Sequence, residues 1–117
     1  MGWTTEFAPE AVRDLDRLFD HLAAAHIAFG ETRPEAARRA ERSVSAILAN
    51  LTRIARAPHI GTVHGLEGGA EIRHVTIERA IYWFTLDPAR EAVRIEGIFH
   101  GGQDHLARMF RRMGAGG

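Results

Sequence analysis

The sequence predicts an α+β fold, in which an antiparallel helical hairpin packs on one face of a mainly antiparallel sheet. Over most of residues 9–56, apolar residues recur at spacings of three and four, which is typical of amphipathic helices. Residues 62–100 instead carry alternating or short continuous apolar runs between turn residues, which is typical of strands. Because helices come first and strands follow, rather than the two alternating, the order favours α+β.

A short strand and a long helix open the chain. Residues Trp3–Phe7 combine aromatic and β-branched types and predict the strand. Pro9 suits the first position of the helix, which fades near residues 26–30. Its buried face is predicted to consist of Ala11, Val12, Leu15, Leu18, Phe19 and Leu22. Its charged face is expected to lie in solvent and consists of Arg13, Asp14, Asp16, Arg17 and Asp20.

The second helix has the most regular periodicity in the sequence. It is predicted to run without a break from Pro34 to Arg56, a length on the order of 30 Å. Its apolar stripe consists of Ala37, Ala40, Val44, Ile47, Leu48, Leu51 and Ile54. The short connection that contains Gly30 predicts that the two helices form an antiparallel hairpin.

Four strands are predicted after Pro58, and the short turns between them make each strand the neighbour of the next. They cover Thr62–His64, Glu71–Ile77, Ala80–Leu86 and Ala92–His100. The run Tyr82-Trp83-Phe84 is predicted to lie in the core. Strict alternation in the last strand would leave Ile98 opposite Val93 and Ile95, and a bulge at Gly97 would reconcile these positions.

A short basic helix is predicted over Gln103–Met113, followed by a frayed tail over residues 113–117. The apolar stripe of this helix consists of Leu106, Met109 and Phe110. The chain of 117 residues is thus expected to form a single domain over 1–117.

Composition excludes several classes of function. With no cysteine and no lysine, the chain has no disulfide, no thiol nucleophile, no Schiff-base lysine and no P-loop. Fifteen arginines balance fifteen acids, and this neutrality predicts no direct specific DNA binding by the chain alone. We expect no membrane span and no secretory signal, and therefore a cytoplasmic location.

No cofactor or metal is expected either. The seven histidines include His64 and His74 on separate segments and His100 and His105 five positions apart. Neither spacing matches a metal-ligand motif.

Five segments carry a family pattern in their order and spacing. They are Phe7–Leu15, the Pro-x-x-Gly of Pro58–Gly61, Glu71–Arg73, Ala80–Phe84, and Val93–Asp104 with its His-Gly-x-x-Asp ending. Together they resemble the RelE/ParE superfamily of bacterial toxins from toxin–antitoxin operons, over roughly residues 5–106. The likeness is closer to the ParE (plasmid stabilisation) branch, which acts on DNA gyrase, than to the RelE branch, which cuts mRNA in the ribosome.

The resemblance implies a toxin that inhibits DNA gyrase by binding it, without being an enzyme, and that a ParD-like antitoxin of the ribbon-helix-helix type neutralises. The predicted target-binding residues are Arg73, His100, Gln103, Asp104, Arg108, Arg111 and Arg112. Each also has a structural explanation: an ion-paired strand arginine, a capping or packing histidine, a helix-terminal acid, or a solvated helix face.

Two alternatives remain open at this stage. One is a ribosome-dependent mRNA endonuclease, in which Arg73, Arg79 and His100, joined by His74, would supply the acid, base and cation that RNA cleavage requires. The absence of lysine and the zero net charge count against it. The other is a toxin-like fold that has lost its activity and serves as a binding module.

Overall fold

The computed structural model describes residues 2–101 and 104–114 and has the predicted α+β architecture. The helices are α1 (Pro9–Ala28), α2 (Arg33–Ala49), α3 (Leu51–Arg56) and α4 (His105–Arg112). The strands are β1 (Thr4–Phe7), β2 (Thr62–Gly65), β3 (Glu71–Ile77), β4 (Ala80–Asp87) and β5 (Ala92–His100). No helix within these described residues combines the length and the apolar character that a membrane span requires.

The sheet has the strand order β1-β5-β4-β3-β2. Strands β2 to β5 form an antiparallel meander, as their short connections predicted. The N-terminal strand β1 lies parallel to β5, with Thr4 opposite Ala92 and Phe7 opposite Ile95. The first and last strands of the chain are therefore neighbours, and β5 lies inside the sheet.

The α1–α2 hairpin covers one face of this sheet and forms the larger core. Thr32 caps α2 by accepting a hydrogen bond from the Glu35 amide, and its hydroxyl donates to the Glu35 carboxylate. Helix residues such as Leu18 and Ile47 pack there against strand residues such as Tyr82. The predicted burial of Tyr82, Trp83 and Phe84 is confirmed, since all three are fully buried.

The predicted continuous helix over 34–56 is divided at Asn50 into α2 and α3. The Asn50 side-chain amide donates to the Tyr82 hydroxyl over 3.3 Å, and that hydroxyl donates to the Ile47 carbonyl over 2.8 Å. The apolar periodicity did not indicate this break in the helix, because Ile47 before it and Leu51 and Ile54 after it are all buried.

The bulge predicted at Gly97 is present. Trp83 of β4 pairs with Gly97, but the next residue, Phe84, pairs with Ile95, so that Glu96 is the extra residue. As a result Ile98 joins Ile95 in the larger core, while Phe99 faces the other side of the sheet. That other side is covered by α4, whose Met109 is fully buried.

Asp14 corrects the expectation of a fully solvated charged face on α1. Its side chain is buried and accepts hydrogen bonds from the Ile98 amide and from the Arg112 guanidinium. The bulge in β5 and the docking of α4 bring both donors to α1. Neither contact can be predicted from the periodicity of α1. Helix α4 itself begins at His105, and the Gln103 of the predicted helix lies outside the described residues.

Candidate functional site

A cleft of about 340 Å³ lies where α1, the end of β5 and α4 meet, and we call it the corner cleft. It is lined by Asp14, Arg17, Leu18, His21, Ile98, Phe99, His100, Gly101 and Arg108. Two of them, His100 and Arg108, belong to the predicted target-binding set. The cleft thus joins three elements that are distant in sequence, with cationic side chains around it and apolar residues beneath.

Backbone pairing holds His100 at one end of the sheet. Its partner on β4 is Ala80, and the amide of the next residue, Gly101, donates to the Arg79 carbonyl over 2.9 Å. Partial burial lowers the pKa of His100, and the nearby Arg79 and His21 lower it further. His100 is therefore mainly neutral at pH 7 and gains a proton readily when an anion comes near.

The predicted residues of α4 divide into three roles. Asp104 caps the helix by accepting a hydrogen bond from the Ala107 amide over 3.4 Å. Arg108 lines the corner cleft, and with Arg111 it also borders an adjoining surface groove. Arg112 instead turns inward to Asp14, so we leave it out of the exposed binding surface.

Arg73 lies away from this corner. It shares the hairpin face of β3 with Val75, and its guanidinium donates to the His59 carbonyl over 2.8 Å. This bond ties the loop that follows α3 to the sheet.

The residues of the nuclease alternative do not meet in one place. Arg73 pairs with Phe84 of β4, whereas His100 pairs with Ala80 of the same strand. Four residue steps along an extended strand correspond to about 13 Å. Arg79 and His100 are neighbours, but Arg73 lies towards the opposite end of the sheet, so the expected cation–histidine group is incomplete.

The structure also contains a group of aromatic and histidine side chains that the sequence analysis did not identify. On the α4 face of the sheet, His64 Nε2 lies 2.7 Å from His74 Nδ1, and the indole of Trp83 donates to His105 Nδ1 over 3.0 Å. Phe110 packs edge-on against both His64 and Trp83. We call these five residues the histidine cluster.

The surroundings of His74 and His105 favour their neutral forms. Burial lowers the pKa of His74, and the neighbouring His64 and His105 lower it further. Burial also lowers the pKa of His105, although the carboxylate of Asp104 opposes that shift. Within residues 2–101 and 104–114 no set of three or more histidine, cysteine or acidic side chains is arranged to hold a metal ion.

Comparison with known proteins identifies the fold through solved structures. No protein-family model matches the chain, and no curated protein sequence matches it. A chain in the solved structure of the ParDE toxin–antitoxin system of P. aeruginosa is 18% identical to this chain, with a TM-score of 0.61. The match covers 84% of this chain and 95% of that chain. The RelBE2 toxin–antitoxin complex of Mycobacterium tuberculosis is 15% identical over 88% and 95%, with a TM-score of 0.60.

A third solved structure is the free E. coli RelE toxin, carrying two arginine-to-alanine substitutions. It is 9% identical over 92% of this chain and 93% of its own, with a TM-score of 0.55. The architecture is thus that of a small toxin from a toxin–antitoxin pair. More specifically, the chain has the RelE/ParE fold, as the order of its motifs predicted.

Proposed function

We propose that this chain is the toxin of a type II toxin–antitoxin system that acts in the cytoplasm by binding DNA gyrase. A ParD-like antitoxin of the ribbon-helix-helix type neutralises it. The fold supports the toxin assignment, since solved structures of toxin–antitoxin systems share it. The proposed target surface is the corner cleft together with the exposed arginines of α4.

One observation carries the choice of binding over cutting. The arginine and histidine side chains that would cleave RNA are divided between two ends of the sheet, with Arg73 engaged by the His59 carbonyl. By contrast, Arg17, Arg108 and Arg111 lie together on one surface of a chain whose net charge is zero. Such a local excess of positive charge favours a specific acidic protein surface over bulk nucleic acid.

Exposed apolar side chains support the presence of an antitoxin. At the tip of the hairpin Phe29 is 88% exposed, and Ile27 is half-exposed. Val12 on α1 and Leu106 on α4 are also exposed. Apolar residues of this size on a small protein are typical of surfaces that a partner covers.

A gyrase supercoiling assay tests the proposal. Purified chain is added to gyrase and relaxed plasmid, and we expect less supercoiled product or more cleaved complex. The double variant Arg108→Gln/Arg111→Gln should lose most of this effect. The control Arg38→Gln/Arg42→Gln removes the same charge from exposed positions of α2 and should keep it. An unchanged supercoiling rate at excess parent protein would contradict gyrase as the target.

Arg73, which lies away from the corner cleft, is tested separately. We expect Arg73→Ala to leave the chain folded and to weaken toxicity in cells that express it without antitoxin. If the variant instead fails to fold, its bond to the His59 carbonyl is its main role. Normal growth on expression of the parent chain would favour an inactive binding module.

The histidine cluster favours ribosome-dependent mRNA cleavage as a second candidate. The imidazoles of His64 and His74 are in hydrogen-bond contact, and imidazole has the acid–base chemistry that transfer of the 2′-hydroxyl proton needs. Primer extension on cellular transcripts after induction separates the two functions. Cuts at codon spacing that disappear in His74→Gln would favour cleavage, and intact transcripts in growth-arrested cells would exclude it.

A further inference from the structure

The corner cleft has a chemical character that goes beyond a general basic surface. We propose that it binds an acidic peptide segment whose apolar side chain lies next to a carboxylate, and that binding adds a proton to His100. This inference rests on the proposed function, because it specifies the partner chemistry of the proposed target surface. Its test uses purified chain and peptide, so its outcome is independent of any gyrase measurement.

Basic side chains surround the cleft from three elements. Arg17 and His21 come from α1, His100 from the end of β5, and Arg108 from α4. No described residue forms an ion pair with Arg108 within 4.0 Å. Arg17 lies 3.8 Å from Asp14, but that carboxylate already accepts from Arg112 and from a backbone amide. The positive charge at the mouth of the cleft is therefore largely uncompensated and favours an anionic ligand.

The inner wall of the cleft is apolar. Leu18, Ile98 and Phe99 line it beneath the cationic side chains. A peptide can place an apolar side chain against this wall while a neighbouring carboxylate meets Arg17 or Arg108. A nucleic acid backbone presents phosphates and sugars, which would not contact the apolar wall. A chain with zero net charge also exerts no long-range attraction on a nucleic acid. The observations therefore favour a peptide.

His100 couples this binding to protonation. The charged and titratable groups around it are Arg17, His21 and Asp14 on α1, Glu78 and Arg79 at the β3–β4 turn, and Arg108 on α4. Burial, Arg79 and His21 lower the pKa of His100. A bound carboxylate adds negative charge and raises that pKa, so the complex takes up a proton and the affinity increases as the pH falls.

Fluorescence polarisation with a short, acetylated and amidated peptide of alternating Glu and Leu tests the ligand class. The matched peptides replace Glu by Gln, or Leu by Ser, and a single-stranded oligoribonucleotide is the nucleic acid arm. We expect the Glu–Leu peptide to bind about tenfold more tightly than each of the others, a difference of about 1.4 kcal/mol. Equal binding of the Gln–Leu peptide, or tighter binding of the oligoribonucleotide, would overturn the proposal.

Charge variants locate the binding site. The double variant Arg17→Gln/Arg108→Gln should bind the Glu–Leu peptide with an affinity lower by about tenfold or more. The control Arg38→Gln/Arg42→Gln, which changes the net charge equally on α2, should bind like the parent. If the control loses as much affinity as the cleft variant, the attraction is general and the cleft is not the site.

Proton uptake is measured by titration calorimetry in two buffers of different ionisation enthalpy. We expect net proton uptake on binding of the Glu–Leu peptide, and an affinity that falls as the pH rises. His100→Gln should still bind the peptide but with less proton uptake than the parent. The measurement on the parent protein stands even if that variant folds poorly, and zero uptake by the parent would refute the role of His100.

Discussion

Arg112 and Asp14, which are 98 residues apart in the chain, form a two-bond ion pair that joins α4 to α1. The Nη1–Oδ2 distance is 2.7 Å and the Nη2–Oδ1 distance is 3.0 Å. The same guanidinium donates to the Glu96 carbonyl and lies over the Phe99 ring. The hydrogen bond to Asp14 raises the pKa of Arg112, so this guanidinium keeps its charge over the working range of pH.

Removing Asp14 should destabilise the fold strongly. Asp14→Ala leaves the Arg112 guanidinium mostly buried without its counter-charge, which costs about 3 kcal/mol of unfolding free energy. Urea denaturation followed by circular dichroism measures the loss. Asp16→Ala, at an exposed position of the same helix, is the matched control and should change the unfolding free energy by less than about 0.5 kcal/mol. Equal values for both variants would contradict the structural role of the pair.

Gly97 is required because α4 approaches the sheet there. A Cβ at this position would lie 2.6 Å from Met109 Sδ and 2.9 Å from Arg112 Nη1. Both atoms belong to flexible side chains, but Met109 is fully buried and Arg112 is held by Asp14, so neither moves freely. We expect Gly97→Ala to lower the unfolding free energy by about 1–3 kcal/mol.

Gly65 offers the matched control for this substitution. A Cβ at Gly65 would meet no atom within 4 Å, so Gly65→Ala should be close to neutral in the same denaturation experiment. If Gly97→Ala is also neutral, α4 is not packed as closely on the bulge as the structure shows.

The fold class was predictable because local periodicity and turn chemistry determine it. The sequence pattern predicted a strand over Glu71–Ile77, and β3 has these bounds. Gly97 signalled the bulge because it interrupted the apolar alternation of β5. These features depend on neighbours within a few positions, which a single sequence displays.

The site was less predictable because its parts meet through tertiary docking. Asp14 looked like one more charge on a solvated helix face until α4 supplied Arg112. His64 and His74 carried a usable signal, since the turn between their strands sets a register that brings them together. No local pattern indicated that His105 would join them, because this depends on where α4 packs on the sheet.

The Tyr82 hydroxyl links the sheet to the point where α2 gives way to α3. It donates to the Ile47 carbonyl over 2.8 Å and accepts from the Asn50 amide over 3.3 Å, and its ring is fully buried. Tyr82→Phe removes both bonds and leaves the Ile47 carbonyl without this donor. We expect a loss of about 1–2 kcal/mol in unfolding free energy with little change in the ring packing.

Hydrogen exchange measures where the Tyr82→Phe loss occurs. Amides around residues 47–54 should exchange faster in Tyr82→Phe, while those of α1 change only as global stability requires. A uniform increase over all helices would show that the hydroxyl does not act locally on the α2–α3 junction.

Stability should decrease in mild acid because three histidines are held neutral by the fold. Burial is the largest cause that lowers the pKa of His74, His100 and His105 below the unfolded value of 6.5. Between 6.5 and the folded-state values, the unfolded chain binds more protons than the folded chain. The unfolding free energy therefore falls as the pH decreases through this window, and the loss is complete once the folded histidines are also protonated.

The histidine cluster should account for a measurable part of that loss. Protonation of His74 places a cation beside His64 and His105, and the resulting repulsion weakens the docking of α4 on Trp83. Urea denaturation between about pH 7.5 and pH 5.5, followed by tryptophan fluorescence, should show a smaller dependence on pH in His74→Gln than in the parent. The exposed His59→Gln is the control and should keep the parental dependence. If His74→Gln keeps it as well, the acid sensitivity arises outside the histidine cluster.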